Sequence, residues 1–141
     1  MLISVEGKFA DGMLDGTKRI EIRRRELRIE PNTRLWVYSK VPVGAVTAMV
    51  CLSGVERLSP SVIWDRYSDI IGISGSEFSA YARGAEKISV LHLTDARPVV
   101  GVGLSDIRSV RPAFQPPQFY MRLEKQENIL SIFESGLKSK E

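Results

Sequence analysis

Cysteine and histidine are nearly missing from this chain: Cys51 and His92 are the only examples in 141 residues. One cysteine excludes a disulfide framework and a cysteine zinc site. With one histidine as well, a metal centre would have to rest on carboxylates, and the sequence holds no suitable cluster. No cofactor is expected. Long apolar runs are also missing. None approaches the ~18 residues a membrane-spanning helix needs. The opening stretch, Met1 to Ala10, carries Glu6 inside its apolar run and so is not expected to be a secretory leader. A reduced, cytoplasmic protein with no membrane partner is expected. Internal repeats and low-complexity segments are absent too.

What is present is an ordinary globular composition, 43% hydrophobic and 26% charged. That is enough apolar material for one core in one domain. The net charge is only +3, but its placement is uneven. Between Gly16 and Arg28, six basic residues (Lys18, Arg19, Arg23, Arg24, Arg25, Arg28) stand against Glu21 and Glu26, a net of 6 − 2 = +4. The remainder therefore nets 3 − 4 = −1. A local positive patch is the footprint of an anionic partner, phosphate above all. It is equally what a charged edge strand uses to discourage aggregation.

Periodicity divides the chain. Leu2 to Val5 is a short apolar strand. Lys8 to Asp15 places Phe9, Ala10, Met13 and Leu14 on one helical stripe, and Gly16 is suited to end it. Lys18 to Arg25 alternates, with Ile20 and Ile22 on one side and Arg19, Glu21 and Arg23 on the other. Arg34 to Lys40 and Ala45 to Val55 continue as strands, the second apolar on both faces and so central. Ser59-Pro60 opens a helix, and Ser74 with Glu77 forms a capping box for another. The segment Glu86 to Ala96 is a further two-faced strand, and Leu104 to Val110 a helical turn. The proline-rich stretch from Arg111 to Leu123 is expected to be extended but not a central strand. Glu124 to Glu141 is an amphipathic helix with Ile129, Leu130, Phe133 and Leu137 as its stripe. Strands dominate, and long crossover helices are lacking. The predicted fold is α+β, mainly β: a small, mostly antiparallel barrel with short helices packed outside it.

The stretch "GTKRIEIRRR" resembles the G-x-K-x-x-E-x-R signature of the ASCH family, within the PUA-like superfold. Gly16, Lys18, Glu21 and Arg23 occupy its four positions. "LWVYSKVPVGAVTAMV", "IWDRYSDIIGISGSEFSAYARG" and "PPQFY" are similar to segments of one branch, described as predicted transcriptional regulators. The resemblance runs from Leu2 to Leu123, which implies an ASCH domain over residues 1–123 and a helical extension over 124–141. It further implies a PUA-like pseudobarrel with a cleft beside the first helix, where RNA or a nucleotide-like ligand binds. Members of this branch often carry a basic residue and a proline before the first helix; here those places are Glu6 and Gly7.

The resemblance points to Gly16, Lys18, Glu21 and Arg23 as ligand contacts. Two residues apart on a strand, Glu21 and Arg23 share a face. They suit a base amine and a phosphate respectively, or a plain surface ion pair. Lys18 suits a phosphate contact, or a catalytic amine with Glu21 as base. Arg24 and Arg25 suit phosphate, or a solvated loop. Tyr38, in register with Trp36, is a candidate for base stacking, although strand aromatics also serve as core. Gln118 can both donate and accept, as reading a base edge requires; its segment can equally close the barrel. His92, among valine and leucine, is expected as a hydrogen-bonded core residue.

Three functions follow from these residues. The first is a non-catalytic module binding RNA or nucleotides, with a regulatory role. The second is an enzyme on nucleosides or RNA using Lys18 and Glu21. Hydrolases of acetylated cytidine in the family carry a threonine where Glu21 stands, so ribonuclease chemistry is the expected form of that alternative. The third is a homodimer or a protein partner engaged through residues 124–141.

Overall fold

The computed structural model describes residues 1–138 of the chain; the last three residues of the predicted C-terminal helix lie outside it. Six strands form one curled sheet in the order β2-β5-β4-β3-β1-β6. The strands are β1 (Leu2–Val5), β2 (Ile20–Arg23), β3 (Arg34–Ser39), β4 (Ala45–Leu58), β5 (Ile88–Pro98) and β6 (Tyr120–Met121). All neighbours are antiparallel except β1 and β3. Five helices lie around the sheet: α1 (Gly7–Asp15), α2 (Pro60–Tyr67), α3 (Gly75–Ala82), α4 (Leu104–Val110) and α5 (Glu127–Ser135). The two-faced apolar segments are the central strands, as expected. The proline-rich stretch supplies only the two-residue edge strand β6, where a missing backbone donor costs no ladder bond.

The sheet curls because its longest strand is bulged. β4 slips register against β5 between Met49 and Cys51 and again between Leu52 and Gly54. Each bulge bends the strand and increases its twist. The two faces of β3 feed different clusters. Leu35 and Val37 pack with Ala10 and Met13 of α1. Trp36 and Tyr38 pack with Ile107, Phe114, Ile129 and Phe133. A third cluster joins Ile20 and Ile22 of β2 to Ile63, Ile71 and Phe78 beneath α2 and α3.

Helix ends follow local chemistry. The Ser74 hydroxyl accepts from the Glu77 amide at 3.1 Å and Glu77 accepts from the Ser74 amide at 3.1 Å, so the predicted capping box is made. Ser59 stands at the N-cap of α2 with Pro60 following, but its side chain caps nothing. Gly16 ends α1 in the left-handed conformation, φ 86°, which glycine adopts without steric cost.

The amphipathic helix expected beyond residue 123 packs on the barrel. Ile129 and Phe133 are buried in the same cluster as Leu2 and Leu123, and the Phe133 ring lies 5.5 Å from that of Trp36. Burying side chains of this size stabilises the fold by roughly 1.5–3 kcal/mol each. Among the described residues, no helix is long and apolar enough to cross a membrane.

Candidate functional site

Strand β2 is shorter than its alternating sequence predicts. Only Ile20–Arg23 pairs with β5, and Arg24 and Arg25 already lie in a bend. The alternation nevertheless sorts these four residues as expected. Ile20 and Ile22 enter the core, while Glu21 and Arg23 turn to a cleft of about 390 Å³. Its walls are the end of β1, Phe9 of α1, Ile73, and Glu77 and Tyr81 of α3.

Lys18 lies deeper than a surface lysine. Its side chain is 1% exposed. The ammonium donates to the Ile71 carbonyl at 2.7 Å and stands 3.5 Å from Glu21 Oε1. It also lies 5.1 Å from the centre of the Phe9 ring, a cation–π distance. Two glycines make room for its stem. A Cβ on Gly12 would approach Lys18 Cβ to 3.1 Å, and one on Gly72 to 2.7 Å. A lysine this deep is tolerated because a carboxylate, a carbonyl and a ring face replace its water.

Glu21 connects the two cations. Its Oε2 accepts from Arg23 Nη2 at 2.8 Å, and Oε1 accepts from the Ile22 amide at 3.1 Å. Arg23 Nη2 also donates to the Ser4 carbonyl at 3.1 Å, tying β2 to β1 across the cleft floor. Among the described residues, Arg23 Nε and the Ser4 hydroxyl are buried without a protein hydrogen-bond partner. Three cations (Lys18, Arg23, Lys40) and three carboxylates (Glu6, Glu21, Glu77) line the cleft. Its interior is therefore charge-balanced, and the positive excess lies on its rim.

At the entrance, Lys8 of α1 reaches Glu77 of α3 at 3.0 Å. The Lys8 hydrogen bond, with those from Ser74, holds the Glu77 carboxyl below its ordinary range. The Tyr81 hydroxyl receives the Arg24 amide at 3.1 Å and donates to the Ile22 carbonyl at 3.2 Å. Burial pushes its pKa up.

The other predicted contacts fall in different places. Arg24 and Arg25 diverge at the rim. Arg24 donates to the carbonyls of Tyr81 and Arg83 at 2.8 and 3.0 Å, and Arg25 lies 5.1 Å from the Phe119 ring centre. Gln118 is exposed and outside the residues lining the cleft. Gly16 also lies outside that lining and serves to end α1. Tyr38 requires a correction. It is 3% exposed and packs among Trp36, Val46 and Phe133, so its ring offers no face to a base. The parity that aligns Tyr38 with Trp36 turns both away from the cleft. His92 is hydrogen-bonded but not deeply buried: its Nε2 lies 2.6 Å from Glu56 Oε1, with 26% of the side chain exposed.

Sequence reasoning missed Phe9, Glu77 and Tyr81 as cleft residues. In the sequence Phe9 shows only as part of the first helix's apolar stripe, and Tyr81 only as an aromatic beside Phe78 in the helix that Ser74 opens. No periodicity reports that two stripes from distant helices meet over one strand. Among the described residues no group of three or more His, Cys, Asp or Glu side chains could hold a metal ion.

A curled, mainly antiparallel sheet with a charged cleft between its first helix and its second strand defines a PUA-like half-barrel. No protein-family model matches the chain. It is 30% identical over 126 residues to a Zymomonas mobilis protein named ASCH domain-containing ribonuclease, across 89% of this chain and 85% of that protein. The crystal structure of ASCH from Zymomonas mobilis superposes with a TM-score of 0.86 at 27% identity, covering 99% of this chain and 96% of that one. A tyrosine-to-phenylalanine mutant of the Zymomonas protein superposes at 0.84 and 28% identity, over 93% of this chain and 96% of that one. This chain belongs to the ASCH domain family.

Proposed function

We propose that this protein binds single-stranded RNA and seats one unpaired nucleotide in the cleft between α1, α3 and β2. The observation that carries this is the Lys18–Glu21–Arg23 arrangement, in which a 2.8 Å hydrogen bond from Arg23 and a 3.5 Å ion pair with Lys18 hold an acid between two cations on the cleft floor. A site for phosphate alone needs no acid. A carboxylate beside a guanidinium suits a base edge, since an exocyclic amine donates to the acid. Arg23 Nε adds a donor whose hydrogen-bonding capacity is unused within the chain. The relative named as a ribonuclease supports RNA over a free nucleotide.

Binding is tested by fluorescence anisotropy with short labelled RNA. Glu21→Ala and Arg23→Ala should each weaken it about tenfold or more, and wild-type affinity should fall steeply with salt. Unchanged affinity in both variants would sink the proposal. The finer reading is a regulatory role in the cytoplasm, a reducing compartment compatible with the lone Cys51. Pairing through residues 124–141 would use the outer side of α5, because Ile129 and Phe133 are buried.

A second reading, RNA cleavage, is favoured by that same relative. In it Glu21 accepts the proton of a ribose 2′-hydroxyl as that oxygen attacks the adjacent phosphorus, the P–O5′ bond breaks to leave a 2′,3′-cyclic phosphate, the departing 5′-oxygen takes a proton from water, and Lys18 and Arg23 offset the charge that develops. Labelled RNA incubated with the protein decides between the two: intact RNA at high protein concentration leaves binding alone.

A further inference from the structure

Leading away from the cleft rim, four flat side chains are in successive contact. Arg25 lies 5.1 Å from the Phe119 ring centre. The Phe119 and Tyr120 rings are 4.8 Å apart, and Arg122 lies 5.9 Å from the Tyr120 ring centre. The two ring planes are tilted by 59° and half-buried against the core, while Arg25 and Arg122 are exposed; the uncovered ring faces and guanidinium planes suit stacking by unpaired bases, and the guanidinium edges suit phosphate. We propose that this Arg25–Phe119–Tyr120–Arg122 ladder is a second binding surface, which takes the nucleotides of a single-stranded RNA that flank the one in the cleft. The proposal rests on the RNA-binding reading above and extends it to strand length and direction.

Three observations support it. The ladder adjoins the cleft. Arg25 follows Arg23 by two residues, and Tyr120 pairs with Ile3, next to Ser4, whose carbonyl binds Arg23. Antiparallel pairing directs the residues before Tyr120, Gln118 among them, toward the Val5 end of β1, which walls the cleft. The ladder is also held in place. The Arg25 carbonyl accepts from the Ser89 hydroxyl at 2.8 Å, and Arg122 donates to the Arg28 carbonyl at 3.3 Å. Finally, its charge is mostly unpaired. Among the described residues Arg25 and Arg28 have no carboxylate within ion-pair distance, and Arg122 has only Glu124 at 3.5 Å, both side chains more than half exposed. The cleft is charge-balanced, so the excess that would attract a phosphate backbone lies here.

The test compares a uridine mononucleotide with single-stranded RNA of eight nucleotides on the full chain. Wild type should bind the eight-mer at least tenfold more tightly than the mononucleotide. The double variant Arg25→Gln/Arg122→Gln should lose most of that gain, and its log–log salt slope should shrink by about 1.4, at 0.7 per phosphate contact. Its mononucleotide affinity should stay within about twofold of wild type. Phe119→Leu, which keeps an apolar side chain beside the core, should remove part of the gain. Eight-mer affinity and slope unchanged in the double variant would overturn the proposal. Equal displacement of the RNA by an eight-residue polyglutamate would overturn it as well. The cleft reading fails separately: if Glu21→Ala leaves mononucleotide binding intact while the double variant weakens the eight-mer, the ladder stands without it.

Discussion

Lys18 and Gly72 pack so closely that a β-carbon on the glycine would stand 2.7 Å from Lys18 Cβ and 3.3 Å from its Cα. Gly72 also has φ +70°. Close approach and a left-handed backbone thus demand glycine at the same position, one residue after the carbonyl that anchors the ammonium. Gly72→Ala should destabilise the fold by about 2–4 kcal/mol, from the left-handed penalty and the displaced lysine stem. Urea denaturation measures it, and a loss below ~0.5 kcal/mol would show that the loop relaxes freely.

The buried ion pair has a directional consequence. Glu21→Gln removes the only carboxylate within ion-pair distance of Lys18 among the described residues. It should cost about 3 kcal/mol, since an uncompensated buried charge remains. Lys18→Met should cost less, because Glu21 keeps Arg23 at 2.8 Å. The double variant Lys18→Met/Glu21→Gln should be more stable than the sum of the singles by about 1–3 kcal/mol. A double-mutant cycle in urea reads that difference, and strict additivity would argue against coupling.

Glu56 sets a pH dependence away from the cleft. Its Oε1 accepts from the Tyr67 hydroxyl at 2.6 Å and lies 2.6 Å from His92 Nε2. The Tyr67 bond first, and His92 second, hold its carboxyl below the ordinary 4.5. A depressed folded value means that the unfolded chain binds the proton more readily. The stabilisation is therefore complete above pH 4.5 and is lost as pH falls through the lower folded value. Glu56→Gln should cost roughly 1 kcal/mol at pH 7, with the gap to wild type closing in acid. Melting curves from pH 3 to pH 8 check this; a gap that widens in acid would contradict it.

Phe133 tests the C-terminal helix. It is fully buried against Trp36, so Phe133→Ala should cost about 3–5 kcal/mol. A loss under 1 kcal/mol would mean that α5 contributes little to the barrel.

Much of the fold was legible in the chain. β4 and β5 were visible as central strands because both faces are apolar, and α3 because Ser74 and Glu77 stand three apart. The site was legible in part. Alternation placed Glu21 and Arg23 together, since a two-residue repeat is a property of any strand. It did not place Tyr38, because the same parity that aligns it with Trp36 leaves open which face is core.

Local chemistry therefore settled the elements, and the charged signature on β2 marked where to look. The burial of Lys18, the neutrality of the cleft and the arginine–aromatic ladder were decided only by tertiary structure. Each depends on residues far apart in sequence: Lys18 on Ile71 and Gly72, Arg25 on Phe119, Arg23 on Ser4. Short-range patterns report which side of an element is apolar. Which two sides meet, and which charges lose their water when they do, is decided when the sheet curls and the helices close over it.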